Sequence, residues 1–373
     1  MTSDLQSSWT PFWAVAPGEI LVEALAERRM SQAELARRMA RPLKTISEIA
    51  NGKTAITPET ALQLERTVGI SASFWNGLES RYRESLARRR AAEELEQHVG
   101  WSLKFPLADM VKFGVIPPGA NRTQTVSHLL SIFEVSNPAG WEQQWGRTTA
   151  ALRRSTAHKW SAHALAAWLR WGEIRATQLD VAPYDEGKFT AALGTARGLS
   201  RLSAFELAIE QLQDLMKAAG VAVVVLPELT GTRVSGAARW LRSGFPLIQL
   251  SLRYLSDDQF WFSLFHEADH IRRGRKRIDY VDDLEAEPRA ETDEEAAADA
   301  FARDHLIPPG RYDRFVVAGD LTAESVRSFA SELGISPGIV VGRLQRDRAI
   351  PPSRMNYLKR RYQVALVSSS QDH

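Results

Sequence analysis

The chain of 373 residues contains no cysteine, which excludes disulfide bonds and zinc sites built from thiolates. It also has almost no net charge, because 47 lysines and arginines are offset by 45 aspartates and glutamates. A surface that binds nucleic acid must therefore be local. The sequence has no apolar run long enough to cross a membrane, and it does not begin with a basic segment followed by an apolar core. We therefore expect a soluble, cytoplasmic protein with no membrane partner.

The segment from His266 to His270 reads His-Glu-Ala-Asp-His, and it follows an apolar run that is typical of a buried helix. In a helix, His266 and His270 lie one turn apart on the same face, so their imidazoles can share a metal ion. Glu267 lies about 100° around the helix and can reach a water molecule beside that ion. Zinc hydrolysis requires these groups: two neutral nitrogen ligands, one carboxylate base and an open coordination position.

A pattern this short also occurs by chance, and a third ligand distinguishes a metal site from coincidence. The Ala-rich segment 295–308 is predicted to be a helix, in which Glu295 and Asp299 share one face. Glu295 can be the third ligand, while Asp299 can accept the N–H of a ligating histidine and fix its tautomer. The competing interpretation is a charged surface helix on which this pair of carboxylates has no role. Two independent half-motifs in the right order favour the zinc site.

The segments around these ligands resemble the ImmA/IrrE family of metallopeptidases, over about residues 216–373. Besides the histidine helix, the resemblance rests on Gly231–Trp240, Ile248–Arg253 and the run from Glu295 to Pro308. It implies a zincin-like fold in which Glu267 is the general base and Zn2+ is bound by His266, His270 and Glu295. Several members of the family cleave a repressor, so the resemblance also implies a protein substrate.

The chain departs from this family at Asp269. In the family, the residue before the second histidine is usually small and commonly glycine. An additional carboxylate at this position could pair with a nearby arginine or disturb the metal. The first outcome would leave the zinc site intact, whereas the second would favour a metal domain that cleaves nothing.

The N-terminal region combines two helices with a short turn between them. Ser31 and Glu34 have the spacing of a capping box, which begins a helix. A second, short helix is predicted from Leu43 to Asn51 and is stopped by Gly52. A capped helix, a turn and a short helix with small polar residues facing outward are typical of a helix-turn-helix.

Residues 17–80 resemble the HigA/XRE-type repressor domain, which implies a lambda-repressor-like helical bundle that binds operator DNA. The residues expected to read bases lie on the second helix or directly after it: Lys44, Thr45, Ser47 and Asn51. Those expected to contact phosphates surround it: Arg28, Arg29, Arg37, Arg38, Arg41 and Lys53. One such module covers little DNA, so we expect a homodimer on an inverted repeat. The alternative is a helical domain used only for contact with a protein partner.

The middle of the chain, residues 96–215, is predicted to be a helical connector with its tryptophans in the core. A small sheet should follow, with strands at 221–226, 231–240 and 247–252. A basic run (272–277) and an acidic run (279–295) are interpreted as a solvated loop, with a regulatory lid as the alternative. Near the C-terminus, Ser336 and Pro337 begin what imitates a second helix-turn-helix, which we interpret as a structural subdomain.

Taken together, the chain is expected to be mainly α with a small β-sheet (α+β). We divide it into a helix-turn-helix DNA-binding domain with an N-terminal arm (1–95), a helical connector (96–215) and a zincin-like metallopeptidase domain with a C-terminal helical subdomain (216–373). The first functional hypothesis is a DNA-binding transcriptional regulator with a zinc-dependent endopeptidase domain. The second is an antitoxin-like repressor, partnered by a toxin, whose zinc domain is a sensor or partner-binding platform without proteolysis.

Overall fold

The computed structural model describes residues 15–146, 161–253, 256–274 and 288–362. Most of the predicted N-terminal arm, Trp160 and most of the predicted basic and acidic runs lie outside the described residues. The described residues are mainly helical and include one three-stranded sheet. The chain divides into two compact units, Met1–Val99 and Gly100–His373. The predicted connector and the region after it therefore belong almost entirely to one unit.

The described part of the first unit is a helical bundle: α1 (Pro17–Glu27), α2 (Gln32–Arg38), α3 (Leu43–Ala50), α4 (Pro58–Val68) and α5 (Ala72–Gln97). The Ser31 hydroxyl accepts a hydrogen bond from the backbone N–H of Glu34, as predicted, and so begins α2. The Glu34 carboxylate pairs with Arg37 and Arg38 and does not close the predicted capping box. Ile46 and Ile49 are 0% and 2% exposed, which confirms the predicted core face of α3. They pack in one cluster with Trp75 of α5.

The helices of the second unit, counting α6 at the boundary, are α6 (Val99–Ser102), α7 (Leu107–Lys112), α8 (Arg122–Phe133), α9 (Pro138–Trp141, followed by a π-helical turn over Glu142–Gly146), α10 (Ala162–Ala176), α11 (Glu186–Leu199), α12 (Phe205–Ala218), α13 (Asp257–Arg272), α14 (Pro288–Leu306), α15 (Pro309–Val317), α16 (Ala323–Leu333) and α17 (Pro337–Arg346). A 3-10 turn follows at Asn356–Leu358. Trp168 is fully buried and Trp171 packs against the same aromatic cluster, as predicted for the tryptophans of this region. None of the described helices is both long and apolar enough to cross a membrane.

The sheet has the order β1 (Ala222–Leu226), β3 (Pro246–Ser251), β2 (Gly236–Trp240), with β3 parallel to β1 and antiparallel to β2. Alternate residues of β1 enter different cores: Val223 packs with the helices that include α13, whereas Val224 packs in the aromatic cluster of α8 to α10. The sheet therefore has a buried face on each side. This explains why β1 reads as a continuous apolar run.

The second strand is shorter than predicted, because it begins at Gly236 and not at Gly231. Gly231 has φ +93° and Arg233 has φ +53°, so the backbone turns before the strand. Extended strands require negative φ at each residue. The turn places the start of β2 beside α13.

Helix α13 lies in the core of the second unit and carries the histidine motif. Trp261, Leu264 and Phe265 are fully buried, as the apolar run predicted. Its first turn is held by α17: Asp257 accepts a hydrogen bond from the Ser336 hydroxyl at the start of that helix. The histidines are thus on a platform fixed by a sheet and by several helices.

Candidate functional site

Three potential metal ligands converge between α13 and α14. Nε2 of His266 is 3.3 Å from Nε2 of His270 and 3.2 Å from one carboxylate oxygen of Glu295. The other oxygen of Glu295 is 3.5 Å from Nε2 of His270. Among the described residues, this is the one group of histidine and acidic side chains whose potential ligand atoms all lie within 4.8 Å of one another. Two imidazole nitrogens and a carboxylate oxygen are the protein ligands of a catalytic zinc site with an open position.

Asp299 orients the ring of His266. Its Oδ1 accepts a hydrogen bond of 3.0 Å from Nδ1 of His266, so Nδ1 carries a proton and Nε2 faces the other two ligands. Asp299 lies one turn after Glu295 on α14, which means that one helix supplies both carboxylates. A hydrogen bond of this kind fixes the tautomer of a histidine that binds a metal.

The carboxylates of Asp299 and Glu295 stabilise the protonated form of His266. Burial lowers the pKa of His266, but hydrogen bonds to Asp299 and Glu295 outweigh burial and raise that pKa to about 10. The hydrogen bond to His266 in turn lowers the pKa of both carboxyl groups. At neutral pH the metal-free site therefore contains an imidazolium between two carboxylates. A metal ion that binds Nε2 must displace the proton there.

Glu267 lies beside this cluster and against the start of β2. A Cβ atom at Gly236 would be 2.8 Å from Cγ and 2.9 Å from Oε1 of Glu267, so the glycine leaves the space that this carboxylate occupies. Burial raises the pKa of Glu267, and the two histidines oppose that rise. A carboxyl group with a raised pKa beside a metal site is suited to transferring protons near neutral pH.

Asp269, the departure from the family pattern, is fully buried and paired. Its Oδ1 accepts a hydrogen bond of 2.6 Å from Nη2 of Arg272, and its Oδ2 accepts one from Nε of Arg273. Of the two outcomes considered for this carboxylate, the structure shows pairing with nearby arginines. Both oxygens are thus engaged by arginines at the end of α13.

Different groups lie at the two edges of the sheet, β1 and β2. At β1, the side chain of Gln213 on α12 donates a hydrogen bond of 3.0 Å to the carbonyl of Val223. At β2, the carbonyl of Ser235 accepts a hydrogen bond from the N–H of Ser251, and alternate residues of an antiparallel strand face its partner. The residues of β2 whose backbone groups face the outer edge are therefore Gly236, Ala238 and Trp240. Glu267 lies against this outer edge, where its carboxylate accepts a hydrogen bond from the backbone N–H of Ala238.

The four residues predicted to read bases lie on one short segment of the first unit. Lys44 and Asn51 are exposed, whereas Thr45 and Ser47 are half-buried. The Asn51 amide donates a hydrogen bond of 2.7 Å to the carbonyl of Ser47, which holds Asn51 against the end of α3. Nζ of Lys44 is 3.9 Å from a carboxylate oxygen of Glu48.

The residues predicted to contact phosphates differ in their surroundings. Arg37 and Arg38 are exposed, and both donate to the carboxylate of Glu34. Arg41 donates a hydrogen bond of 2.7 Å to the side-chain oxygen of Gln63, and Lys53 is exposed. Glu34 thus offsets part of the positive charge beside α3, which the cap pattern alone did not indicate.

Two residues at these sites were missed by sequence reasoning. Leu43 opens α3 with 51% of its surface exposed, directly before the residues predicted to read bases. Arg346 of α17 donates a hydrogen bond of 2.6 Å to Asp299, which lies 47 positions earlier in the chain. A contact between residues 47 positions apart has no local signal in one sequence.

Comparison with known proteins identifies the first unit. Residues 21–75 match the helix-turn-helix family HTH_3. The uncharacterized HTH-type transcriptional regulator YddM of Escherichia coli K12 is 39% identical over 64 residues, which are 17% of this chain and 68% of that protein. The structure of an addiction module antidote protein of the HigA family from Coxiella burnetii is matched at 34% identity over 22% of this chain and 92% of that chain, with a TM-score of 0.21. Through this region, the chain belongs to the helix-turn-helix family of DNA-binding transcriptional regulators.

Proposed function

We propose that the chain is a transcriptional regulator that binds operator DNA through its first unit and carries a zinc-dependent endopeptidase of the ImmA/IrrE type in its second unit. The observation that carries the second part is the convergence of His266, His270 and Glu295 with Glu267 beside them. The endopeptidase would act on a protein partner such as a repressor.

The donor set fits zinc. His266 and His270 present nitrogen atoms, Glu295 presents a carboxylate, and the hydrogen bond from His266 to Asp299 directs Nε2 inward. Zinc in such a site polarises a carbonyl group and lowers the pKa of water. Glu267 would accept a proton from the attacking water and deliver it to the leaving amine, as a carboxylate general base does. Its position against Gly236 keeps it between the ligands and the sheet edge.

The outer edge of β2 supports a peptide substrate. An extended peptide can add as a strand to an exposed edge, where main-chain hydrogen bonds bind it without regard to most of its side chains. Gly236 and Trp240 present backbone groups on that edge, whereas the N–H of Ala238 between them already donates to the Glu267 carboxylate. A strand bound there would bring one of its peptide bonds close to the ligand cluster.

In the first unit, α3 would enter the major groove as the recognition helix. Lys44, Thr45, Ser47 and Asn51 would reach base edges, and the surrounding arginines would contact phosphates. A homodimer would place two such helices about one turn of DNA apart, on an inverted repeat. Most of the affinity would come from phosphates and would fall steeply with salt concentration.

The alternative is an antitoxin-like repressor whose zinc domain senses a signal or binds a toxin without cleaving it. Both functions use the same DNA interface and the same ligands, and they differ in whether Glu267 transfers protons. The arginine pairs of Asp269 favour the endopeptidase, because they remove the reason to expect a disturbed metal site.

Metal analysis of the purified protein, together with a proteolysis assay, tests the proposal. Wild type should contain one zinc per chain and cleave a protein encoded beside its gene, whereas Glu267→Gln should retain zinc and lose cleavage. Equal cleavage by both proteins would refute the role of Glu267. Zinc in both proteins with cleavage in neither, tested against all neighbouring gene products, would support the antitoxin-like alternative.

A further inference from the structure

We infer that Arg346 is a positioning residue for the metal centre, which it supports from a helix that supplies no ligand. The inference rests on the proposed zinc site and adds a residue outside its ligand-bearing helices. Arg346 is the last residue of α17. Its role would be to hold Asp299 in the orientation that directs His266.

The first contact is an ion pair that uses the free oxygen of Asp299. Nη2 of Arg346 lies 2.6 Å from Oδ2 of Asp299, while Oδ1 of the same carboxylate accepts the hydrogen bond from His266. Each oxygen of Asp299 therefore has one partner. A carboxylate held at both oxygens cannot rotate without breaking one of these contacts, so Arg346 fixes the direction from which Asp299 meets the ring.

The second contact is with the aromatic side chain that lies beside His266. The guanidinium carbon of Arg346 is 4.8 Å from the centre of the Phe262 ring, a distance at which a cation is attracted to the face of a ring. Phe262 precedes His266 by one turn of α13, and their ring centres are 6.3 Å apart. The contacts form a closed circuit from Arg346 through Asp299 and His266 to Phe262 and back.

The effect of this circuit should be on metal affinity and not on folding. The side chain of Arg346 is 59% exposed, and exposed ion pairs contribute little to stability. Orientation of a ligating histidine, by contrast, depends on the group that holds its second nitrogen. Loss of Arg346 would leave Asp299 with one partner and more freedom to turn away from the ring.

The test compares full-length variants by zinc affinity, measured in competition with a chromophoric chelator. Arg346→Met should weaken zinc binding several-fold, up to about ten-fold. Ten-fold is the lower end of the loss expected when the group that directly orients a ligand is removed. Arg346→Gln should lose less, because its amide can still donate to Asp299. The matched control is Arg311→Met, which removes an exposed arginine of α15 in the same unit, paired at 2.9 Å with Glu332 of α16. The control should bind zinc like wild type.

A second readout does not depend on zinc. In metal-free protein labelled with 15N-histidine, the Nδ1–H proton of His266 should exchange with water faster in Arg346→Met than in wild type or in Arg311→Met. Equal zinc affinity and equal exchange in wild type and Arg346→Met would overturn the inference, as would an equal loss of affinity in the control. A wild-type protein that binds no zinc would overturn the proposed metal centre itself, and that outcome is distinct from either.

Discussion

The chain contains two capped helix pairs, α2–α3 in the first unit and α16–α17 in the second, and both follow the same local rules. A hydroxyl side chain begins three of these four helices: Ser31 for α2, Thr322 for α16 and Ser336 for α17. A residue with positive φ follows the first helix of each pair, Ala40 at 51° and Gly334 at 68°. Caps and turns therefore predict both pairs equally well.

The pairs differ in what their second helices bury. α3 buries two residues and exposes Leu43 and Lys44 at its start. α17 buries five: Gly338, Ile339, Val340, Val341 and Leu344. The glycines of α17 also allow close packing, since a Cβ at Gly338 would be 2.2 Å from the Asp257 carboxylate of α13. α17 is therefore packed into its unit along more of its length than α3, so burial distinguishes two pairs that the local pattern does not.

The largest predicted effect tests this comparison by placing a negative charge on the second helix of each pair. Val340→Asp places an unpaired carboxylate at a fully buried position and should destabilise the second unit by about 4 kcal/mol or more. Lys44→Asp changes an exposed residue, so it should leave the unfolding temperature unchanged and weaken binding to every duplex. Thermal unfolding and gel-shift titration measure the two effects. A Val340→Asp protein that folds like wild type but no longer binds DNA would reverse the assignment.

Elements whose signal is local could be predicted from the sequence. The cap at Ser31, the core face at Ile46 and Ile49, the buried strand β1 and the apolar helix α13 all follow from spacing within a few residues. The predicted start of the second strand was wrong. Gly231 allows a turn with positive φ, and the apolar pattern does not reveal such a turn.

Contacts between distant segments could not be predicted in the same way. Helical spacing places His266 and His270 on one face of α13, and Glu295 and Asp299 on one face of α14. It does not show that these two faces meet. The pairing of Arg346 with Asp299 depends on how α17 and α14 both pack around α13, which no pattern within any of these helices specifies. Residue type and spacing thus indicate the chemistry, while the packing of helices decides which groups share a site.

The second prediction sharpens the contrast between the units through zinc. His266→Ala should abolish stoichiometric zinc, because the two remaining ligands cannot hold the ion against water. Asp299→Ala should weaken zinc binding by about 10–100-fold without unfolding the protein. Neither change should alter DNA affinity, since the described residues of the first unit include no such ligand group. Metal analysis, chelator competition and gel shifts measure these effects, and near-stoichiometric zinc in His266→Ala would refute the ligand assignment.

The third prediction concerns the charged residues of the first unit. Glu34 pairs with Arg37 and Arg38, so Glu34→Gln should free both arginines and raise affinity for all duplexes several-fold at low salt. Arg37→Ala with Arg38→Ala should weaken all sequences alike, whereas Thr45→Ala with Asn51→Ala should relax sequence preference and leave nonspecific binding almost intact. Titrations against operator and random duplexes at two salt concentrations distinguish these outcomes. Equal, salt-insensitive retention of both duplexes by every variant would remove the DNA-reading role.

The smallest effect we predict is a pH dependence confined to the metal-free second unit. The pKa of His266 is about 10 in the folded protein and 6.5 in the reference state for an unfolded chain. Below pH 6.5 the ring is protonated in both states, and its bonds to Asp299 and Glu295 contribute fully to stability. As pH rises from 6.5 towards 10, the unfolded chain loses the proton before the folded one does, so this contribution declines and is gone above 10.

At the acid end the sign is opposite, because the pKa of Glu295 and that of Asp299 are lowered and their contribution is lost as pH falls through those values. The second unit of the chelated protein should therefore unfold at a lower temperature at pH 9 than at pH 6. Zinc requires a deprotonated Nε2, so saturating zinc should remove the decline above pH 6.5 and release about one proton per ion near neutral pH. Scanning calorimetry with and without chelator, and proton release on zinc addition, measure both. His266→Asn supplies the control, since the decline that follows from His266 should be absent in that variant; an unchanged decline would assign the pH dependence to other groups.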